Sequence, residues 1–180
     1  VTLDELLDRA ELGTVTADDL DALDADDPEL LDALDELEHR HRDGYGRWSS
    51  TTFVDGERGE VAVFAVSAGE EIPLHDHPGM TVHQRVLRGT VAVEAWDLLD
   101  AAGTSRAARH VGESLVHEGD TALTLLPDRA NIHRVRAVVD AVFIDVLTPP
   151  YGDGRRCSEW RVEVAPDAAG SGRLTWVRWM

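Results

Sequence analysis

From Ser49 onward the apolar residues fall into short runs of strand length, separated by turn residues. Residues 61–66 form an unbroken apolar run, the pattern of a buried strand. Further runs occupy residues 82–87, 90–96, 121–126, 132–137 and 141–147. Residues 160–164 and 174–179 flank a loop rich in Ala, Gly and Ser. Pro78-Gly79, Gly89, Asp100-Ala101-Ala102-Gly103 and Glu118-Gly119-Asp120 supply the turns. Many short strands at such spacing are expected to close into a mainly β jelly-roll barrel spanning residues 49–180.

Residues 1–48 read differently, as acidic helices. Thr2 and Glu5 have capping-box spacing ahead of Leu6 and Leu7. Thr16 can cap a second helix carrying Leu20 and Leu23, and Asp27-Pro28 marks a third start. Leu30, Leu31, Leu34 and Leu37 make an apolar stripe at helical spacing, expected to pack on the outside of the barrel. Neither a repeat nor a linker to a second domain is visible.

His75-Asp76-His77 lies between an apolar run and the Pro78-Gly79 turn. On extended chain, residues two apart share a face, so both imidazoles aim at one point and Asp76 points away. Alone, such a pair is as consistent with surface histidines at a strand edge. Its setting resembles the first cupin motif, with Gly69 before it and Gly89 after it, and Gly119, Pro127, Asn131 and His133 resemble the second. The resemblance implies a metal held by His75, His77 and His133. The glutamate of the common motif is replaced by Val82, with Thr81 beside it, so three neutral imidazoles would leave about three positions open on an octahedral ion.

The wording of Ile72-Pro73-Leu74-His75-Asp76-His77-Pro78-Gly79-Met80-Thr81-Val82 resembles the cysteamine dioxygenase and plant cysteine oxidase family. A second block agrees: Phe143-Ile144-Asp145-Val146-Leu147-Thr148-Pro149-Pro150-Tyr151, then Gly154-Arg155-Arg156-Cys157. The resemblance implies ferrous iron, a carboxylate near it at Asp145, a tyrosine beside the substrate at Tyr151, and a cysteine at Cys157. Some family members couple that cysteine to a tyrosine two residues on; here the position is Glu159, so no such crosslink forms. The family's Gly-Arg-Asp-Cys reads Gly-Arg-Arg-Cys here. The implied reaction adds O2 to the sulfur of a small aminothiol or an N-terminal cysteine. A non-enzymatic cupin binding module and a cupin oxygenase or isomerase of non-thiol substrates stay open alternatives.

The chain carries 17 Lys+Arg against 35 Asp+Glu, a net charge of -18, and every one of those cations is arginine. Such a balance argues against nucleic acid and anionic membrane as partners. It also fits a salt-adapted cytosol, where self-repulsion is screened. No apolar stretch has membrane length, and one cysteine makes no intrachain disulfide, so a reducing cytoplasm is the expected setting. A monomer is the expected state.

Other residues compete for roles. His83 follows Val82, so strand parity turns it from the metal point, toward packing or support. His39 and His41 are expected to be solvated, and His110 and His117 to flank a strand. Asp145 sits in an apolar run; it is expected to contact the site or else bond a loop arginine. Arg85, Arg88, Arg129 and Arg134 could line the barrel mouth, or be solvated ion pairs.

Overall fold

A computed structural model describes all residues except 45, 46, 101, 102 and 153. The expected turn at 100–103 therefore lies partly outside the described residues. Three helices lead the chain: α1 (Leu3–Leu12), α2 (Ala17–Asp21) and α3 (Pro28–Asp43). Eleven strands come after them: β1 (Trp48–Asp55), β2 (Glu60–Val66), β3 (Glu71–Asp76), β4 (Thr81–Arg88), β5 (Thr90–Leu98), β6 (Ser105–His117), β7 (Leu123–Leu125), β8 (Ile132–Ala137), β9 (Ala141–Thr148), β10 (Ser158–Val164) and β11 (Ser171–Trp179). The run expected at 121–126 is a strand only at its centre, β7.

The strands form two sheets. One is five-stranded, ordered β1-β2-β9-β4-β7; the other runs β10-β11-β6-β5-β8-β3 and closes through β10 on β3. Every ladder is antiparallel. This is the jelly-roll architecture expected of a cupin. Strand parity divides the five-stranded sheet cleanly. Val61, Val63, Ala65, Val142, Ile144 and Val146 face the helices and pack with Leu6, Leu20, Leu30, Leu34 and Leu37. Each fully buried leucine contributes about 2 kcal/mol. Phe64, Val66, Val86, Ala141 and Phe143 face inward and meet Ile72, Val91, Val93 and Val135 of the second sheet.

The helices begin where the capping residues stand. Thr2 and Thr16 both complete capping boxes, and Asp27 accepts from the backbone N–H groups of Glu29 and Leu30. Two arginines then bind the helices to the sheet. Arg85 donates to the carbonyls of Leu20 and Leu23 at 2.7 and 2.8 Å, and Arg88 pairs with Asp35 and Glu38. Neither lines the barrel mouth: β4 parity sends Arg85 outward, and the register slip between Val86 and Arg88 breaks the alternation before Arg88. Gly59 permits the contact of α1 with the β1–β2 turn, since a Cβ there would lie 2.3 Å from the carbonyl oxygen of Ala10. Gly89, at φ +80°, passes so close to Asp140 that a Cβ would lie 2.1 Å from its carbonyl oxygen.

Candidate metal centre and cavity

His75 on β3 and His133 on β8 are direct register partners, and His77 stands just beyond β3. A bulge between Ile72 and His75 shifts the parity of β3 by one residue. Ile72 and His75 therefore both face the cavity although they are three apart in sequence. Pro73 sits within the bulge, where a residue without an N–H costs no ladder bond. Its carbonyl is 2.8 Å from Nδ1 of His75. The three rings have centroids 4.4, 4.9 and 5.0 Å apart, and their ligand atoms lie within 4.8 Å of one another.

All three histidines are buried. Burial above all, then the neighbouring imidazoles, holds His77 and His133 well below the ordinary histidine range. His75 is lowered by burial too, against the Pro73 carbonyl. The rings are therefore neutral. Because a carbonyl can only accept, Nδ1 of His75 carries the proton and Nε2 keeps its lone pair. Nε2 of His77 and both ring nitrogens of His133 are buried without a well-formed hydrogen bond; the Asn131 carbonyl comes near enough only to favour protonation of His133 slightly. An orphaned buried polar atom costs about 1–3 kcal/mol, so such atoms call for a ligand. A divalent ion fits them. Val82 stands fully buried among Met80, Leu125 and Leu147, and no carboxylate joins the cluster among the described residues.

Two supports lock this arrangement. Asp76 points away, as parity requires, and accepts from the Ser158 N–H at 2.7 Å and the Trp160 indole at 3.0 Å. Asn131 grips His77 along its backbone: Oδ1 accepts the His77 N–H at 3.0 Å, and Nδ2 donates to the His77 carbonyl at 2.7 Å.

The histidines open into a cavity of about 170 Å3 walled by Trp48, Phe64, Ile72 and Phe143. A larger, open groove of about 490 Å3 between Arg106 and Trp179 touches none of them. Asp145 lines the cavity and is buried. Its partner is Gln84, whose Nε2 donates to Oδ1 at 2.9 Å, not a loop arginine. Burial raises the Asp145 carboxyl to about 7, with Gln84 opposing and Glu60 adding to the rise. Tyr151 also lines the cavity, its hydroxyl 2.7 Å from Nδ1 of His77. Cys157 is there too, its Sγ 3.8 Å from Sδ of Met180. Burial pushes its thiol to about 11, against the Tyr151 hydroxyl, so it stays protonated at neutral pH. Glu159 is tied to Arg178 at 2.6 Å.

The remaining histidines lie elsewhere. His83 faces the helices, 3.0 Å from Thr124 Oγ1. His41 is not simply solvated: its ring nitrogens lie 3.0 and 2.8 Å from the hydroxyls of Ser49 and Ser67. His39 is exposed beside Asp43. His110 lies within β6, and His117 is its last residue. Sequence reasoning misses Gln84, Glu60 and Trp48. The first two carry a signal, since each shares the inward parity of its strand.

Comparison with known proteins bears on the family. The family model PCO_ADO matches residues 19–172. The 2-aminoethanethiol dioxygenase of Homo sapiens is 36% identical over 141 residues, covering 62% of this chain and 52% of that protein. Plant cysteine oxidase 1 of Arabidopsis thaliana is 35% identical over 105 residues, covering 54% of this chain and 36% of that protein. A solved rmlc-like cupin protein from Desulfovibrio desulfuricans is 22% identical with a TM-score of 0.42, covering 58% of this chain and 85% of that one. The chain spans about half the length, or less, of the curated relatives it matches. By its motifs and by the extent of the family match, the chain belongs to the PCO_ADO family, the cysteamine dioxygenase and plant cysteine oxidase group.

Proposed function

We propose that this chain is an iron-dependent thiol dioxygenase acting on an aminothiol or an N-terminal cysteine. The observation that carries this is the cluster of three neutral, buried imidazoles with unpartnered nitrogens, opening into a mainly apolar cavity that also holds Asp145 and Glu60. The reaction adds both atoms of O2 to the sulfur of R–SH, giving R–SO2H; sulfur is oxidised, dioxygen is reduced, and no other electron donor is required. A ferrous ion, when bound, supplies acidity toward the thiol and the redox chemistry that dioxygen needs.

The chain's own residues do the rest. His75, His77 and His133 hold the ion. Tyr151 fixes the His77 ring. Trp48, Phe64 and Phe143 exclude water from the sulfur. Asp145, poised to hold or release a proton near neutral pH, orients the substrate amine. Among the described residues no arginine lines the cavity, so a free amino acid's carboxylate would find no partner, and this favours thiols without one. Cys157 serves as an apolar, protonated wall of the pocket. Residues 49–180 form the catalytic barrel in this reading and 1–48 its helical cover. No helix among the described residues is long and apolar enough to cross a membrane. A reducing cytoplasm suits both a ferrous ion and a thiol substrate.

The test is oxygen uptake by iron-loaded protein with cysteamine, cysteine and N-terminal-cysteine peptides, coupled to mass spectrometry. The expected product is a sulfinate carrying both oxygen atoms. Uptake with none of the thiols would leave a metal-binding module instead.

A further inference from the structure

The histidine cavity is small and its wall is almost wholly shielded. Its volume of about 170 Å3 falls below the roughly 300–1,000 Å3 of ordinary ligand pockets. It suits a compact aminothiol; a peptide that begins with cysteine needs more room than this. Among the described residues, every one that lines it is buried or half-buried except Met180, which is 47% exposed. Met180 therefore meets the cavity on one side and solvent on the other.

The walls do not yield equally. Phe64 stacks on Phe143 at 5.1 Å and meets Trp48 at 6.0 Å, so the aromatic wall is interlocked. Ile72 and Val135 belong to the core between the sheets, and Leu147 packs with Met80 and Val82. Asp145 is bonded to Gln84, Tyr151 to His77 and Asp76, and Glu60 to the backbone N–H of Tyr151. Met180 is held differently. Its backbone is pinned one residue beyond the Ser158–Trp179 register pair, where its N–H donates to the Cys157 carbonyl at 3.0 Å. Its side chain rests on Cys157 through sulfur alone, Sδ 3.8 Å from Sγ. Methionine is unbranched and flexible, and its thioether accepts only weakly. The anchor can therefore stay in place while the side chain swings.

We propose that Met180 is the movable wall that sets the size of molecule reaching the histidine cluster. With its side chain laid against Cys157 the cavity takes a compact aminothiol; only its displacement admits a cysteine that carries further residues. The inference rests on the thiol dioxygenase reading for its substrates and adds a specificity-determining residue to it. Shortening the side chain should favour N-terminal-cysteine peptides over cysteamine, and a bulky, rigid side chain should do the reverse. Met180 is exposed and lies beyond the end of β11, so neither change endangers the fold.

The experiment measures access before chemistry. Cys157, the chain's one cysteine, lines the cavity against Met180 and reports entry without metal or turnover. Metal-free wild type, Met180→Ala and Met180→Phe are reacted with methyl and benzyl methanethiosulfonate, two neutral reagents of one chemistry and different size. The ratio of benzyl to methyl rates cancels any change in the acidity of the thiol. That ratio is expected to rise at least about fivefold in Met180→Ala and to fall in Met180→Phe. Iron-loaded proteins are then given oxygen with cysteamine and with a Cys-Gly-Gly peptide. The peptide-to-cysteamine ratio of kcat/KM should move in the same directions, by about fivefold or more for Met180→Ala. A labelling ratio that neither variant shifts would overturn the gate, and so would an unshifted kcat/KM ratio. The dioxygenase reading fails separately: a shifted labelling ratio with no sulfinate from any thiol removes the reaction and leaves Met180 as the gate of the cavity.

Discussion

The hydroxyl of Tyr151 lies 2.7 Å from Nδ1 of His77. The same hydroxyl donates to the Asp76 carbonyl at 3.0 Å. A phenol has one proton. If that proton is committed to the carbonyl, the oxygen must accept from Nδ1–H of His77. This fixes the tautomer that leaves Nε2 deprotonated and aimed into the cluster. Burial holds the Tyr151 phenol far above its ordinary pKa, so it does not ionise in the neutral range. Tyr151→Phe keeps the ring but removes the acceptor. Iron affinity, measured by competition with a chelator, is expected to fall by about tenfold or more with the fold intact. An unchanged affinity would show that the hydroxyl does not support the ligand.

His83 and His133 make a matched pair for testing the ligand set. Both are strand histidines, yet only His133 faces the cavity. Iron content after loading is expected to collapse in His133→Ala and to stay near wild type in His83→Ala. Equal loss in both variants would mean that strand parity does not sort the two and that the ion sits elsewhere.

Asn131 is the second structural guarantor of His77. It supplies one acceptor and one donor to the same residue's backbone, and donates again to the Leu126 carbonyl at 3.2 Å. Asn131→Ala removes these contacts, and the longer one from Nδ2 to the Met80 carbonyl, and leaves the His77 amide without that acceptor. A loss of about 1–3 kcal/mol in stability is expected, read from denaturant midpoints of metal-free protein. A loss within a few tenths of a kcal/mol would mean that water replaces the clamp.

Much of this site is legible in the sequence because strand parity is a local rule. It places His75 and His77 together, turns Asp76 outward and excludes His83, all within nine residues. The same rule applied to β4 points Gln84 inward between Val82 and Val86, and applied to β2 it points Glu60 inward with Phe64. Neither stands out as a site residue, because parity says which face a side chain takes and not which strand lies across from it. Gln84 meets Asp145 only through a β4–β9 pairing of residues 61 apart. Asp55 meets Glu60 only through the β1–β2 register. His41 escapes a sequence reading for a similar reason: its partners, Ser49 and Ser67, lie beyond the end of its helix. Helix starts are legible because Thr2, Thr16 and Asp27 act on neighbours two or three residues away.

The charge of -18 makes a claim about solvent. Self-repulsion of that size destabilises the compact state and is screened by salt. Melting temperature is expected to rise between dilute buffer and molar potassium chloride. Equal melting temperatures would show that the pairs made by Arg9, Arg88, Arg109, Arg134 and Arg178 already balance the acidic surface.

The buried Asp145 carboxyl sets a pH dependence whose sign is fixed. Its ordinary value is 3.8 and its value in the folded chain is about 7, with burial the leading cause. Between those limits the folded protein keeps a proton that the unfolded chain has released. Stability therefore falls as pH rises through the window, and the full cost is present above it. Asparagine cannot ionise and can still bond Gln84. In metal-free protein, Asp145→Asn is thus expected to gain stability over the wild type as pH rises from about 4 to about 7, then hold a constant advantage of up to roughly 4 kcal/mol. Gln84→Leu should act in the opposite sense. It removes the N–H that opposes the rise, so Asp145 keeps its proton to still higher pH and the decline in stability extends further. Urea midpoints at about pH 5 and about pH 8 measure both effects. Parallel pH profiles for wild type and Asp145→Asn would mean that Asp145 is ionised in the metal-free fold, and its part in proton handling would have to be given up.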